Sequence, residues 1–180
     1  MNHRIWRCLM AHADVDQANP PARRIGCVVL IRNRSGDVLM VKPTYKHADS
    51  KQGWQLPGGG AHQGEGIAAA AVREVKEETG LTVKVSHAVC IDQVPASEDG
   101  SSAEGVNLVC DGGTVLHEQA VTVTVPESAR AELSEVRWVA MGELDELAFP
   151  YQVARVRNAV RAAEFGMRLP LYRLGEAASA

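Results

Sequence analysis

Residues 59–81 read GGAHQGEGIAAAAVREVKEETGL, a glycine-punctuated loop running into an alanine-rich, glutamate-rich segment. Glu74, Glu77 and Glu78 stand at i, i+3 and i+4. At about 100° per residue these positions fall within roughly 100° of helix circumference, so a helix here can aim all three carboxylates at one place. Like charges at this spacing repel by roughly 0.2–0.5 kcal/mol per pair. A cluster that opposes its own helix calls for a cation in front of it, and an all-oxygen donor set suits a hard divalent ion such as Mg²⁺. Ala68, Val72, Val75 and Thr79 share the opposite face, and the small run Ala68–Ala71 brings that face close to a sheet. Gly80 suits a left-handed C-cap. Arg73, one turn before Glu77, can fix that carboxylate and relieve the repulsion.

The whole stretch fits G-x5-E-x7-R-E-U-x-E-E-x-G-U, with Gly59, Glu65, Arg73, Glu74, Glu77, Glu78 and Gly80 fixed and Val75 and Leu81 as apolar U positions. Seven fixed positions at about one in twenty each coincide by chance in roughly one window in 10^9. The stretch resembles the Nudix box of the Nudix (MutT-like) hydrolases, with no departure at any defined position. The lead-in Gly53-Trp54-Gln55-Leu56-Pro57-Gly58 is similar to the segment that precedes the box in that family. The resemblance implies an α/β fold, an α/β/α sandwich around a mixed, curved sheet. It also implies Mg²⁺-dependent hydrolysis, with Mn²⁺ as a substitute, of the diphosphate linkage in a nucleoside diphosphate derivative: an ADP-ribose-like compound or a nucleoside triphosphate, oxidised ones included. By the same resemblance Glu74, Glu77, Glu78 and the Gly59 carbonyl are metal ligands. Arg73 orients the glutamates, and Glu65 lies at the edge of the site. Glu132 and Glu135, ahead of a strand-like run, are positioned to serve as general base, although a solvated loop carboxylate is the plainer reading of each.

Such residues match the chemistry. A diphosphate is anionic and stable, so water attacks it only once its oxygens are neutralised, which bound divalent ions do while activating a coordinated water. The alternative is a nucleotide-sensing or binding module on the same fold. Retention of every box carboxylate favours the enzyme. Substrate recognition must come from outside the box: Lys42, at a strand end, and Trp54, beside the box, are the substrate-binding candidates. Tyr45 and His62 are weaker ones.

The 180 residues, 46% hydrophobic and 23% charged, suit one globular domain, and a net charge of −3 gives no basis for holding long nucleic acid or an anionic membrane. Arg155, Arg157 and Arg161 read as a solvated helix face. Cys8, Cys27, Cys90 and Cys110 form no C-x-x-C pair, which points to free thiols in a reducing cytoplasm. The short apolar stretch Ile5–Met10 is interrupted by Arg7 and is not a secretory signal. The expected layout is an N-terminal extension (1–24), a catalytic domain (25–166) and a mobile C-terminal tail (167–180). The family resemblance implies a homodimer.

Runs at 26–32 and 38–42 read as strands joined by a hairpin at Asn33–Asp37. Further strands are expected at 81–94, 106–110, 120–125 and 136–141, with Asp111-Gly112-Gly113 as a turn. Helices are expected at 142–147 and 151–165.

Overall fold

Arg24–Arg32 (β1) is apolar at nearly every position, so it requires cover on both faces. The computed structural model, which describes residues 22–45, 51–100 and 102–178, places it at the centre of a mixed sheet. Val38–Pro43 (β2) returns antiparallel to β1 through the hairpin. There Asn33 Oδ1 accepts the backbone N–H groups of Ser35 and Asp37, both at 2.9 Å, and Gly36 takes a φ of +86°. The remaining sheet strands are Gly58–Gly60 (β3), His87–Val94 (β4), Gly105–Thr114 (β5), Leu133–Val139 (β6) and Leu169–Pro170 (β7). The order is β6-β2-β1-β5-β4-β7, with β3 added antiparallel to β1 and with β1–β5 the parallel pair.

One helix layer covers each face. Ile67–Thr79 (α1) buries Ala68, Ala71 and Val75 against Cys27, Val29, Ile31 and Leu39. Pro150–Glu164 (α4) buries Val153, Val156 and Ala159 against Val28, Leu30, Val38 and Met40. Alternate residues of β1 and β2 thus enter opposite cores, which gives the α/β/α sandwich. His117–Ala120 (α2) and Leu144–Leu147 (α3) are single turns.

Several expectations are corrected. Asp111-Gly112-Gly113 is no turn but the end of β5. A Cβ on Gly112 would stand 2.7 Å from the Cγ1 atoms of Val29 and Ile31, and Gly113, at φ +76°, lies where the pairing with β1 shifts register. These glycines answer close packing and a bulge rather than chain reversal. Residues 120–125 form no strand; their Val/Thr alternation joins no sheet edge, and Val121 is exposed. Within 81–94 the ladder begins only at His87, although Leu81, Val83 and Val85 still alternate inward.

The expected tail is corrected as well. β7 pairs with β4, Leu171 is buried, and Tyr172–Arg173 (β8) and Glu176–Ala177 (β9) form a small hairpin. Arg173 Nη2 donates to the Gly64 carbonyl at 3.0 Å, tying this hairpin to the loop ahead of α1. Composition misled here because two of the segment's apolar residues, Leu169 and Leu171, are enough to dock it on the α1-side core. Cys8 and most of the expected N-terminal extension lie outside the described residues.

Candidate active site

α1 starts after Gly66, an extended residue with no side-chain cap, and ends at Gly80 in the left-handed region (φ +74°), whose N–H bonds the Lys76 carbonyl. Its acidic face turns toward β3. Arg73 is the centre of the arrangement. Its Nε and Nη2 grip the two oxygens of Glu65 at 2.8 and 2.9 Å. Its Nη1 donates to Glu74 at 2.9 Å and Glu77 at 3.0 Å, and Nη2 also reaches the Gly60 carbonyl at 3.1 Å. Glu65 is therefore the partner that fixes the guanidinium. These hydrogen bonds, followed by the one from the His62 backbone N–H, hold its carboxyl down to about 2.

Glu78 turns the other way and accepts the Gly58 N–H at 2.7 Å. Burial pushes its carboxyl up to about 8 despite that bond, and the charges of Glu74, Glu132 and Glu77 add to the rise. Burial also raises Glu74. A Cβ on Gly59 would come within 2.6–2.7 Å of the Glu74 carboxylate, so only glycine lets that carboxylate lie against the β3 backbone. Gly59 and the three glutamates are thus brought together, but not onto a single point. Glu77 is 58% exposed and held by Arg73, and among the described residues no three acidic, histidine or cysteine side chains form a metal-ligand set on their own. The donor set nonetheless fits Mg²⁺. It is all oxygen, it carries buried negative charge that burial destabilises, and Mg²⁺ characteristically takes one or two carboxylates and completes its shell with water and substrate phosphate.

The other sequence candidates separate. Trp54 is 3% exposed, packed in the α4-side core under the Arg137 guanidinium, so no ring face is open to a base. Lys42 pairs across the β2–β6 ladder with Glu135 (3.9 Å). Neither of these two substrate-binding candidates lines the cavity beside β3. Glu135, bound up with Lys42, is the poorer general-base candidate. Glu132 lies near enough for its charge to act on Glu78 and on Tyr45. His62 is exposed, 3.9 Å from Glu65.

A cavity of about 920 Å³ opens beside β3, walled at one end by Gly58–Gly60 and Glu65 and at the other by Asn107, Tyr151, Gln152 and Arg155. No local pattern of residues signals this far end. Arg155, read as solvated, is 8% exposed because Asp92, on a distant strand, pairs with it at 2.6 Å. Arg157, bound bidentately by Asp145, is indeed exposed.

A model of the NUDIX domain matches residues 21–160. An RNA pyrophosphohydrolase of Sphingopyxis alaskensis is 26% identical over 151 residues, covering 77% of this chain and 89% of that protein. Nudix hydrolase 5 of Arabidopsis thaliana is 40% identical over 60 residues, and the matched part spans only 20% of that longer protein. Among solved structures, the MutT protein of Methanosarcina mazei Go1 superposes with a TM-score of 0.60 at 23% identity, over 82% of this chain and 98% of that one.

Proposed function

The chain belongs to the Nudix family, and on that premise we propose that it is a Mg²⁺-dependent pyrophosphohydrolase that cleaves the diphosphate linkage of a nucleoside diphosphate derivative, either an ADP-ribose-like compound or a nucleoside triphosphate. One observation carries the reading: the Arg73-centred carboxylates of α1 stand against the Gly58–Gly60 strand, which forms one end of a cavity large enough for a nucleotide.

Glu74, Glu77 and Glu78, with the Gly59 carbonyl, are the residues that would hold the ion. When bound, Mg²⁺ neutralises phosphoryl oxygens and lowers the pKa of a coordinated water. The protein's part is positioning. Arg73 holds Glu74 and Glu77 in fixed rotamers, and Glu65 holds Arg73. The Gly58 N–H sets the orientation of Glu78. Glu132, whose charge reaches Glu78, is the residue we assign to accept the proton of the attacking water. The free thiols Cys27, Cys90 and Cys110 suit a reducing compartment, and we place the enzyme in the cytosol.

The test is product analysis with ADP-ribose, nucleotide sugars, dinucleoside polyphosphates, and normal and oxidised nucleoside triphosphates, with and without Mg²⁺ or Mn²⁺. Metal-dependent cleavage of one class well above the rest, reduced by orders of magnitude in Glu77→Gln and Glu78→Gln with the fold retained, is the expected result. Full activity in both variants overturns the metal-site assignment. Ligand binding without any cleavage moves the protein to a sensing role.

A further inference from the structure

The far end of the cavity contains a buried amide whose orientation is fixed. Gln152 and Arg155 lie on the inward side of α4, 3% and 8% exposed. Arg155 Nη1 donates to Gln152 Oε1 at 3.0 Å, and its Nε donates to Asp92 Oδ2 at 2.6 Å. A guanidinium has donors only, so the Gln152 atom that faces it must be the amide oxygen. The Gln152 NH₂ is then the group left over. It has no hydrogen-bond partner among the described residues, and Gln152 lines the cavity. With its oxygen engaged, this amide cannot flip to become an acceptor.

The surroundings define what the NH₂ faces. Arg155 is neutralised by Asp92, so its guanidinium is not available to a second phosphate, and Arg24, on the same wall, donates to the Ala103 carbonyl. Asn107 of β5 lines the cavity too. Its amide lies over Gly26, where a Cβ would come within 2.0 Å of Asn107 Oδ1. The half-exposed Tyr151 ring provides an aromatic wall, held 5.7 Å from the Arg155 guanidinium. A donor, an adaptable amide and an aromatic face suit a neutral, planar heterocycle.

We propose that Gln152, locked as a donor by the Arg155–Asp92 pair, is the specificity-determining residue of this cavity and selects nucleobases that present a carbonyl oxygen over those that present an amino group at the same position. The inference rests on the hydrolase reading for the placement of the diphosphate at the β3 end. A base with an amino group in that place sets donor against donor and closes the cavity over an NH₂ left without an acceptor, the situation in which sites built on hydrogen bonds discriminate most strongly.

IMP and AMP differ at the 6-position, oxo against amino. Their binding to the metal-free full chain, measured by calorimetry, reads the preference without catalysis; ITP and ATP turnover with Mg²⁺ reads it through kcat/KM. The wild type is expected to favour the oxo base by about tenfold or more in both. Gln152→Glu puts a carboxylate oxygen where the NH₂ stood and should invert the preference. Gln152→Met should bring the ratio near one while circular dichroism and Tm show an intact fold. A ratio near one in the wild type, an unchanged ratio in Gln152→Met, or no binding of either nucleotide overturns the inference. A preserved binding preference without metal-dependent cleavage leaves it standing and overturns the hydrolase reading.

Discussion

Arg73 engages five N–H donors at once, two with Glu65 and one each with Glu74, Glu77 and Gly60. A lysine has a point charge and no planar fork, so it cannot repeat that pattern. Arg73→Lys is expected to lower kcat by about 10²-fold or more, with KM for the nucleotide little changed, because the glutamates lose their orientation while the far end of the cavity is untouched. Steady-state kinetics at saturating Mg²⁺ checks this. Glu65 gives a pH effect of definite sign. Its folded-state pKa, about 2, lies below its ordinary 4.5, so its contribution is present above the ordinary value and is lost as pH falls toward 2. Glu78 has the opposite sign. Its folded-state pKa, about 8, lies above 4.5, so the metal-free protein loses stability as pH rises between those values. Denaturant titrations in chelator across pH 5–8 should show that decline, and Glu78→Gln should flatten it.

Elements differ in how openly their sequence announces them. α1 was legible because its carboxylates, its small buried face and its terminal glycine all obey one period. The hairpin after β1 was legible because Asn33 and Gly36 carry local turn chemistry. β3 was not, since three glycines have no side-chain pattern and are extended only because β1 pairs with them. The same limit hid Gln152 and Arg155: their burial depends on Asp92, 63 residues earlier than Arg155, which no local spacing reveals. Tertiary contact likewise sets the surroundings of Trp54, under Arg137, and of Lys42, beside Glu135. Two substitutions test the packing at this scale. Val75→Asp places an unpaired charge in the α1-side core and should cost at least ~3 kcal/mol, read as a fall in the denaturation midpoint. Gly112→Ala forces a methyl to 2.7 Å from Val29 and Ile31 and should cost about 1–3 kcal/mol, with the Mg²⁺ site retained.

Across the whole molecule, two cores on opposite faces of one sheet set the inward face of α4 and the glycines of β3, against whose other side the acidic face of α1 lies, around one cavity. Chemistry and recognition can therefore be altered separately, one from each helix layer. The hairpin of β8 and β9 belongs with the α1 layer, through Leu171 in its core and Arg173 on Gly64. Removal of residues 167–180 should lower Tm and speed hydrogen exchange in the 61–66 loop more than in α4, as read by mass spectrometry.

That contact also sets an order of assembly. Arg173 and Gly64 are 109 positions apart. A ribosome completing about 5–20 residues per second presents the loop several seconds before the residue that fastens it. A nascent chain paused after residue 166 already contains the residues of β1, β2, α1 and α4, yet the β3 end of its cleft is still untied. Competence for binding should therefore arise late in synthesis, after most of the sheet has formed.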